Sequence, residues 1–232
     1  MKSQYQRLEM LIGKNGLETL SSKRVLIFGL GGVGGHVCDA LARGGIKHFT
    51  IVDNDKVDIT NINRQIIANH NTIGQYKTDV MEAHLKAINP EIEVNKYQMF
   101  YLPENADTFD FKNYDYIVDA IDTVKAKIEI ICRSFASETP VISALGCGNK
   151  LDPSQLEITD LSKTSYDPLA KVMRRELSLR GIKHVKVVFS KEQSVKLHND
   201  ENDERIPGSS PFVPSVAGIM IASEVIKDLL NK

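Results

Sequence analysis

The sequence contains a glycine-rich segment of the kind that binds nucleotide phosphates. It reads Gly29-Leu30-Gly31-Gly32-Val33-Gly34 and lies between a short apolar run and a helical pattern. Glycines let the backbone approach a phosphate closely, and the amino end of the following helix offers free amide groups and a positive dipole end. The segment alone leaves NAD(P), FAD and other nucleotides open, although dinucleotides are its commoner ligands.

An acidic residue follows this segment at the distance expected for a ribose ligand. Asp53 lies about 20 residues beyond the glycines, where a carboxylate can accept hydrogen bonds from ribose hydroxyl groups. NAD and ATP both contain ribose, so Asp53 does not separate them. The alternative role for an acid here is to cap the following turn, and we expect Asp55 to take it.

Two cations beyond Asp53 favour a triphosphate. The segment Asn61-Ile62-Asn63-Arg64-Gln65 places an arginine between amide side chains, and Lys77 follows. Arginine offers a planar fork for phosphate oxygens and lysine a point charge, a combination that a hydride-transfer site has little reason to assemble. A surface ion pair is the alternative role for Arg64.

A second acidic residue is expected at the edge of the sheet. Asp122 ends the run Ile117-Val118-Asp119-Ala120-Ile121-Asp122, just beyond the carboxyl end of a predicted strand, where doubly wound sheets bind ligands. Mg²⁺ needs only one or two carboxylates and completes its shell with water and phosphate oxygens. We predict a magnesium ligand at Asp122, with capping of the next helix as the alternative, whereas Asp119 could support a turn.

Alternating strand and helix patterns must position these residues. Short β-branched runs predict strands at 24–28, 48–52, 93–98, 116–119 and 141–144, and apolar spacing predicts helices at 33–43, 77–88 and 124–137. This alternation predicts an α/β fold, a Rossmann-like doubly wound and mainly parallel sheet with an N-terminal helical arm and a C-terminal extension.

The remaining segments predict how a single domain over 1–232 is organised. Residues 1–22 form the arm, with breaks near Gly13 and Gly16, and 23–150 form the nucleotide-binding half. The half at 151–232 contains a Pro-marked loop, a basic helix near 168–179, a strand at 184–189 and a closing helix at 214–230. The polar stretch 191–210 offers little to bury, so we expect a mobile crossover or lid.

Composition limits the classes of function. The formal net charge of −1 argues against wholesale electrostatic attraction to nucleic acid, although a local patch remains open. No apolar run reaches the roughly 20 residues of a membrane span, and the start lacks a secretion signal, so we expect a cytoplasmic protein with no membrane span. Cys38, Cys132 and Cys147 contain no C-x-x-C pair, and we expect no zinc.

The glycine segment, Asp53, N-I-N-R-Q, Lys77 and V-D-A-I-D-T together resemble the ubiquitin-activating-enzyme-like (ThiF/MoeB/HesA) superfamily of adenylating enzymes. The resemblance implies ATP between the glycines and Asp53, flanked by Asn61, Asn63 and Gln65. It also implies that Arg64 and Lys77 bind phosphates, that Asp122 holds Mg²⁺ and that a carboxylate attacks the α-phosphate. Such enzymes often form homodimers in which an arginine of the partner's N-terminal arm completes the site, and Arg7 matches that arginine.

Residues after Val141 resemble one branch of this superfamily, which acts on threonylcarbamoyladenosine of tRNA. The similar stretches are Gly146-Cys147-Gly148-Asn149-Lys150-Leu151-Asp152-Pro153, Ile158-Thr159-Asp160-Leu161-Ser162-Lys163-Thr164 and Asp167-Pro168-Leu169. The resemblance implies that ATP activates the threonyl carboxylate and that the adjacent carbamoyl group attacks it, which releases AMP and leaves a cyclic nucleoside. Cys147 could be a nucleophile, but a small buried residue in a tight turn is the interpretation we favour.

A basic segment favours RNA over a protein substrate. Between Leu161 and Lys191 there are eight cations, namely Lys163, Lys171, Arg174, Arg175, Arg180, Lys183, Lys186 and Lys191, against the two acids Asp167 and Glu176. Because neutralising backbone phosphates supplies much of nucleic-acid affinity, we expect this segment and the stretch 191–210 to contact the anticodon arm of tRNA. A solvated basic helix is the alternative.

Three other functions stay open. The chain could activate a sulfur-carrier or ubiquitin-like protein, although such activators usually carry paired zinc cysteines and no cysteine follows Cys147 here. It could also be a non-catalytic tRNA- or nucleotide-binding module, or an NAD-dependent oxidoreductase. Cysteine desulfurases and sulfur acceptors as partners, and a monovalent cation near Asp152, are further open alternatives.

Overall fold

The computed structural model describes residues 3–195 and 207–231 of the chain. Its α-helices are α1 (Gln6–Ser22), α2 (Gly34–Arg43), α3 (Lys77–Ile88), α4 (Val124–Ala136), α5 (Pro168–Ser178) and α6 (Val213–Leu230). Its strands are β1 (Arg24–Phe28), β2 (His48–Val52), β3 (Glu93–Tyr97), β4 (Tyr116–Asp119), β5 (Val141–Ala144), β6 (Leu156–Asp160) and β7 (Lys186–Ser190). Of the stretch 191–210 predicted to be mobile, residues 196–206 lie outside the described residues.

The described strands form one sheet in the order β3-β2-β1-β4-β5-β7-β6. All neighbouring strands run parallel except β6, which is antiparallel to β7. The predicted Rossmann-like, doubly wound and mainly parallel fold is confirmed. Because β2 and β4 lie on opposite sides of β1, the order reverses there, and such a switch point is where open α/β sheets bind ligands.

The register brings three loops to this switch point. Phe28 of β1 is level with Val52 of β2 on one side and with Asp119 of β4 on the other. The chain therefore leaves all three strands at the same edge of the sheet. This carboxyl edge receives the glycine segment and the loops that begin at Asp53 and Ala120.

Both faces of β1 are buried, as expected for a central parallel strand. Val25 and Ile27 pack in one apolar cluster with side chains of α2, α3 and α6, whereas Leu26 and Phe28 pack in a second cluster that includes α4. Each fully buried aliphatic or Phe side chain contributes roughly 1.5–3 kcal/mol of transfer free energy. The strand that precedes the glycine segment is thus fixed from both sides.

Most predicted elements are confirmed, with small differences at their ends. The strand predicted at 93–98 ends at Tyr97, and the one predicted at 184–189 spans Lys186–Ser190. Strand β6 was missed, since its sequence follows Pro153 and only Leu156 of its five residues is buried. A half-exposed edge strand carries a weak apolar pattern.

The N-terminal arm is one helix with a kink. Gly13 has non-helical backbone angles inside α1, with φ 74°, so the predicted break at this residue is confirmed. Gly16 is not a break, because it remains helical. A β-carbon at Gly16 would lie 3.3 Å from Leu230 of α6, so the helix approaches α6 closely at this point.

Candidate nucleotide-binding site

A cleft of about 470 Å³ opens at the carboxyl edge of β1, β2 and β4. Nine predicted site residues line it: Gly29, Gly31, Gly32, Asp53, Asn61, Arg64, Gln65, Lys77 and Asp122. Gly34, Asn63 and Arg7 do not. Parallel strands with level ends therefore bring together residues that are far apart in the sequence.

Two glycines of the segment are required by close backbone contacts. Gly29 has a φ of 88°, and a β-carbon there would lie 2.6 Å from the Ala120 carbonyl oxygen. A β-carbon at Gly34 would lie 1.8 Å from the Gly29 carbonyl oxygen, which no side chain permits. Gly31 is different, since the nearest atom to its β-carbon position is the Gln65 Nε2 at 4.0 Å. Gly34 thus supports the loop from beneath, and Gly31 faces the open cleft.

Asp53 joins the glycine segment to the end of β2. Its Oδ2 accepts a hydrogen bond from the Leu30 amide at 2.7 Å, and its Oδ1 accepts one from the Asp55 amide at 2.8 Å. The turn-capping role that we expected for Asp55 therefore belongs to Asp53, and that prediction was wrong. Burial raises the pKa of Asp53, while Lys77 and the two amides act in the opposite direction.

Lys77 lies buried at the start of α3 and points toward this acidic turn. Its Nζ is 2.8 Å from the Asp55 Oδ2, and the Asp55 side chain is 57% exposed. The exposed carboxylate holds the ammonium group at the wall of the cleft. A phosphate could replace it as the partner of Lys77 at little desolvation cost, because Asp55 is already largely hydrated.

Arg64 has its guanidinium oriented by neutral groups. Its Nη1 donates to the Thr60 carbonyl oxygen and to the Asn63 Oδ1, both at 2.9 Å. Within the part of the chain that the structure describes, Arg64 forms no ion pair, so the alternative of a surface ion pair is not observed. The charge remains open to an anion.

The amide side chains of this segment differ in their surroundings. Asn61 closes a turn, since its Oδ1 accepts from the Asp58 amide at 3.1 Å. Asn63 donates to the Ser209 carbonyl oxygen at 2.8 Å and so ties the segment to the chain before α6. Gln65 is 6% exposed, and its Oε1 has no hydrogen-bond partner among the described residues. Gln65 therefore presents a buried acceptor to the cleft, and buried acceptors are normally paired with a donor.

Asp122 projects into the cleft from the loop after β4. It is exposed, and its only side-chain contact among the described residues is a long one of 3.4 Å from the Thr123 hydroxyl. The residue that caps α4 is Thr123, without a side-chain hydrogen bond. The alternative that Asp122 caps this helix is therefore contradicted, and its carboxylate remains available for a cation.

Sequence analysis missed a buried ion pair beneath Asp122. The Lys127 Nζ lies 2.9 Å from the Asp119 Oδ2, and both side chains are 0% exposed. The same ammonium group donates to the Ile121 carbonyl oxygen at 2.9 Å, and the Ser143 hydroxyl donates to Asp119 at 2.5 Å. These contacts fix the backbone on both sides of Ala120. The available signal was a lysine on the buried stripe of α4, three residues before Ile130.

An aromatic wall was also missed. Met99, Phe100 and Tyr101 line the cleft beyond β3, and the rings of Tyr101 and Phe28 have centroids 4.5 Å apart. The Tyr101 hydroxyl is buried without a partner among the described residues, and burial raises the pKa of Tyr101. The apolar run after the third predicted strand could have indicated this wall. Tyr101 is 4% exposed and supports the wall from behind, whereas Phe100 is 48% exposed and offers an apolar ring of the kind that binds a base.

Arg7 lies away from the cleft of its own chain. It is exposed on α1 two residues after Tyr5, whose hydroxyl donates to the Ala42 carbonyl oxygen at 3.1 Å and accepts from the Asn89 Nδ2 at 3.1 Å. Both contacts are near the carboxyl ends of α2 and α3, hence at the amino edge of the sheet. The chain does not bring Arg7 to its own glycine segment.

Cys147 follows β5 and is half-buried in a turn. Its Sγ lies 3.6 Å from the Leu145 carbonyl oxygen. Burial raises the pKa of the Cys147 thiol to about 11. The favoured interpretation as a buried turn residue fits these surroundings better than a nucleophile, because only the thiolate reacts.

The basic segment does not form one surface. Lys171, Arg174 and Arg175 share a face of α5 at helical spacing, although Arg175 and Arg180 both contact Glu176. Lys186 binds Glu224 and Asp228 of α6, and Lys191 pairs with Glu157. The cations on and after β7 are thus neutralised, and the Arg174 guanidinium donates to the Thr164 carbonyl oxygen at 3.0 Å. Among the described residues of the segment, Lys163 and Lys171 are exposed cations without an ion pair, beside and on α5.

The fold and the cleft define an α/β nucleotide-binding protein with its ligand site at the switch point of a parallel sheet. The ThiF family model matches residues 5–232, and the chain belongs to this family. The resemblance to the superfamily of adenylating enzymes is confirmed. None of the described helices has both the length and the apolar character that crossing a membrane requires.

Relatives that align over nearly their whole length include tRNA threonylcarbamoyladenosine dehydratases. The chain is 44% identical over 244 residues to tRNA threonylcarbamoyladenosine dehydratase of Bacillus subtilis, covering 100% of this chain and 96% of that protein. The crystal structure of E. coli tRNA N6-threonylcarbamoyladenosine dehydratase with ATP has a TM-score of 0.90 and 32% identity, covering 98% and 94% of the two chains. The same E. coli enzyme with AMP has a TM-score of 0.91, at the same identity and coverage.

Proposed function

We propose that this chain is an ATP-dependent tRNA threonylcarbamoyladenosine dehydratase that adenylates a carboxylate of its substrate. The observation that carries the proposal is the extent of similarity to the Bacillus subtilis enzyme, which includes the half of the chain after β5. The cleft supplies the parts that such chemistry requires.

The residues of the cleft fit ATP. In this proposal the loop amides, Arg64 and Lys77 bind phosphates, Asp53 faces the ribose, and the base lies against the exposed ring of Phe100. Asn61 and Asn63 shape the loop through their backbone contacts. The unpaired Oε1 of Gln65 supports a ligand with a hydrogen-bond donor at this position, because buried acceptors are normally satisfied.

Asp122 fits a magnesium ion. It presents one exposed carboxylate on the same cleft, and Mg²⁺ takes few protein ligands when phosphate oxygens and water complete its shell. The ion would neutralise phosphate charge there. A monovalent cation near Asp152 is not part of the proposal, since that carboxylate already accepts from the Ser154 amide, the Ser154 hydroxyl and Gln155. The expectation of no zinc stays a prediction.

The reaction needs little from protein nucleophiles. The threonyl carboxylate attacks the α-phosphate of ATP and pyrophosphate leaves. The adjacent carbamoyl group then attacks the acyl carbon, and AMP leaves with one carboxylate oxygen. Holding a nucleophile beside the activated acyl group can supply about 7–11 kcal/mol of the barrier. A half-buried Cys147 whose thiol pKa is raised by burial fits a mechanism in which the substrate provides both reacting groups.

The proposal includes a homodimer. Because Arg7 lies at the amino edge of its own sheet, it could complete only the cleft of a second copy. Met10 and Leu11 on the same arm are 76% and 83% exposed, and such apolar side chains suit a subunit contact. Arg7→Ala should lower the rate of nucleoside dehydration without changing the oligomeric state. Mixing Arg7→Ala subunits with Asp122→Asn subunits should restore part of this rate, because a mixed dimer has one cleft with both Asp122 and a partner Arg7.

The tRNA partner fits the positive charge on α5, and we infer that this face contacts the anticodon arm. A tRNA substrate also implies a cytoplasmic location. Cysteine desulfurases and sulfur acceptors remain candidate partners, which co-purification would test. Salt should weaken tRNA binding steeply if Lys171 and its neighbours contact phosphates, because each neutralised phosphate releases counterions.

The test combines nucleoside mass spectrometry with variants of the cleft. Purified chain, ATP, Mg²⁺ and tRNA carrying threonylcarbamoyladenosine should yield a nucleoside lighter by one water. Asp122→Asn and Arg64→Ala should abolish this change, whereas Asp107→Asn should not, since that side chain is 96% exposed and pairs with Arg133 away from the cleft.

Two results would overturn different parts of the proposal. Turnover retained by Asp122→Asn would remove the assigned metal ligand. An unchanged nucleoside with folded enzyme would reject the dehydratase activity and favour an activator of a small carrier protein. That activator would exchange pyrophosphate into ATP only when the carrier is present.

A further inference from the structure

The segment between β6 and α5 exposes an aromatic ring. Tyr166 is 77% exposed, and its backbone is left-handed with φ 56°. Residues with bulky side chains rarely adopt this left-handed conformation, because it costs free energy that contacts of the surrounding structure must offset. No apolar contact in the described structure explains why a tyrosine is held outward here.

The residues around Tyr166 are anchored. Asp167 is buried and accepts from the Ala170 amide at 3.1 Å and from the Gly146 amide at 3.2 Å. Thr164 is also buried, and its hydroxyl donates to the Leu161 carbonyl oxygen at 2.7 Å. The ring therefore projects from a fixed turn and loses little conformational freedom when a ligand contacts it.

The same contacts locate Tyr166 relative to the cleft. Gly146 lies two residues beyond β5, so the bond from its amide to Asp167 places this turn at the carboxyl edge of the sheet. Strand β5 pairs with β4, and the loop after β4 carries Asp122. Tyr166 is thus on the edge that bears the candidate ATP site, beside the neighbouring strand.

Two exposed cations lie close to Tyr166 in the sequence. Lys163 and Lys171 lie three residues before it and five residues after it, and both are exposed. Neither forms an ion pair with any residue between 3 and 195 or between 207 and 231. An exposed ring that is flanked in the sequence by two exposed lysines is complementary to a ligand that has both flat bases and phosphates.

We propose that Tyr166 is a stacking platform for an unpaired base of the RNA substrate. This inference rests on the proposed function and adds a residue that positions the RNA. Proteins recognise single-stranded RNA loops by stacking splayed bases on aromatic rings, while lysines contact the backbone. The ring holds a base of the anticodon loop next to the carboxylate that enters the cleft.

Kinetics with matched variants test the role of the ring. Tyr166→Ala should raise KM for tRNA by roughly 5- to 150-fold, the range that loss of one base–aromatic stack gives. KM for ATP should stay within about twofold, because the ring is outside the cleft. Tyr166→Phe should behave as wild type. Leu179→Ala is the control, since Leu179 is 75% exposed just beyond the other end of α5.

A spectroscopic measurement tests stacking directly. The chain contains no tryptophan, so Tyr166→Trp introduces a single indole reporter. Its fluorescence should be quenched when tRNA is titrated in without ATP, and a Leu179→Trp reporter should not respond. Tryptophan retains an aromatic face, so this variant should also keep its activity.

The outcomes separate this inference from the proposed function. Wild-type chain without any dehydration of tRNA would reject the function, whereas quenching at Trp in place of Tyr166 would still support RNA stacking. Wild-type turnover with an unchanged KM in Tyr166→Ala would overturn the stacking role. An equal rise in KM for tRNA in Tyr166→Phe and Tyr166→Ala would also overturn it, because this would indicate a contact of the hydroxyl group. Quenching of the Tyr166→Trp fluorescence by an added protein but not by tRNA would overturn it as well.

Discussion

Replacing Lys127 by methionine tests how the loop that carries Asp122 is held. The variant keeps a long side chain in α4 but leaves Asp119 as a buried carboxylate whose remaining partners among the described residues are the Ser143 hydroxyl and the Ile121 amide at 3.4 Å. Ile121 also loses the donor to its carbonyl oxygen, which is now 2.9 Å away. Both effects act directly behind the candidate metal ligand.

The magnitude follows from the burial of both side chains. Removing one member of a fully buried ion pair costs about 3–5 kcal/mol, because the other charge remains without its partner. In chains of about 150–250 residues, each kcal/mol lowers Tm by roughly 2–4 °C. Thermal unfolding followed by circular dichroism should therefore show Lys127→Met melting roughly 6–20 °C below wild type.

A double variant separates charge burial from loop position. Asp119→Leu combined with Lys127→Met removes both charges, and apolar replacement of a buried pair is often neutral for stability. Tm should recover most of its loss, whereas affinity for Mg²⁺-ATP should stay reduced, since the Ile121 carbonyl group still lacks its donor. A Tm for Lys127→Met within about 2 °C of wild type, or a double variant as unstable as the single one, would refute this reasoning.

Four further predictions concern the cleft and the elements around it. Gly34→Ala should lose ATP binding and have a lower Tm, because its β-carbon would lie 1.8 Å from the Gly29 carbonyl oxygen. Gly31→Ala should keep the Tm of wild type in the same melting assay, because the nearest atom to its β-carbon would be 4.0 Å away. Cys147→Ala should retain dehydratase activity, and the Cys147 thiol, with a pKa of about 11, should react slowly with iodoacetamide at neutral pH; loss of activity would instead support a covalent intermediate. Burial raises the pKa of Asp53, so the ionised carboxylate destabilises the folded chain at neutral pH. This destabilisation disappears as pH falls through the raised pKa. The Tm of wild type relative to that of Asp53→Asn should therefore rise on acidification. Burial tends to raise the pKa of Asp39, but hydrogen bonds from His84 and Arg43 outweigh it and lower this pKa to about 2. The Tm advantage of wild type over Asp39→Asn should therefore be present above about pH 4 and fall as pH drops toward 2. If the Tm difference changed with pH in the same direction at Asp53 and Asp39, these assignments would be contradicted.

The cleft could be predicted because its main residues follow strand ends. Gly29, Asp53 and Asp122 each come just after an apolar run, and the ends of neighbouring parallel strands meet at one edge of the sheet. The positions of these residues in the sequence were therefore enough to predict that they share one site. The fold class was predictable for the same reason, since buried strands and amphipathic helices alternate strongly.

Contacts between distant elements could not be predicted. Lys127 looks like any lysine of a helix until β4 places Asp119 beside it, and the capping bond of Asp53 depends on where the loop turns. The spacing also gave no sign that Arg7 lies at the amino edge, because a helical arm can pack on either side of a sheet. Likewise, β6 becomes recognisable only through its pairing with β7.

The central claim is that the threonyl carboxylate is adenylated, and an oxygen-18 label tests it most directly. Threonylcarbamoyladenosine in tRNA can be made with both carboxylate oxygens labelled and then incubated with the chain, ATP and Mg²⁺. We predict that AMP carries one labelled oxygen for each cyclic nucleoside formed, because the carboxylate attacks the α-phosphate. Label in inorganic phosphate together with ADP, or unlabelled AMP, would contradict the account.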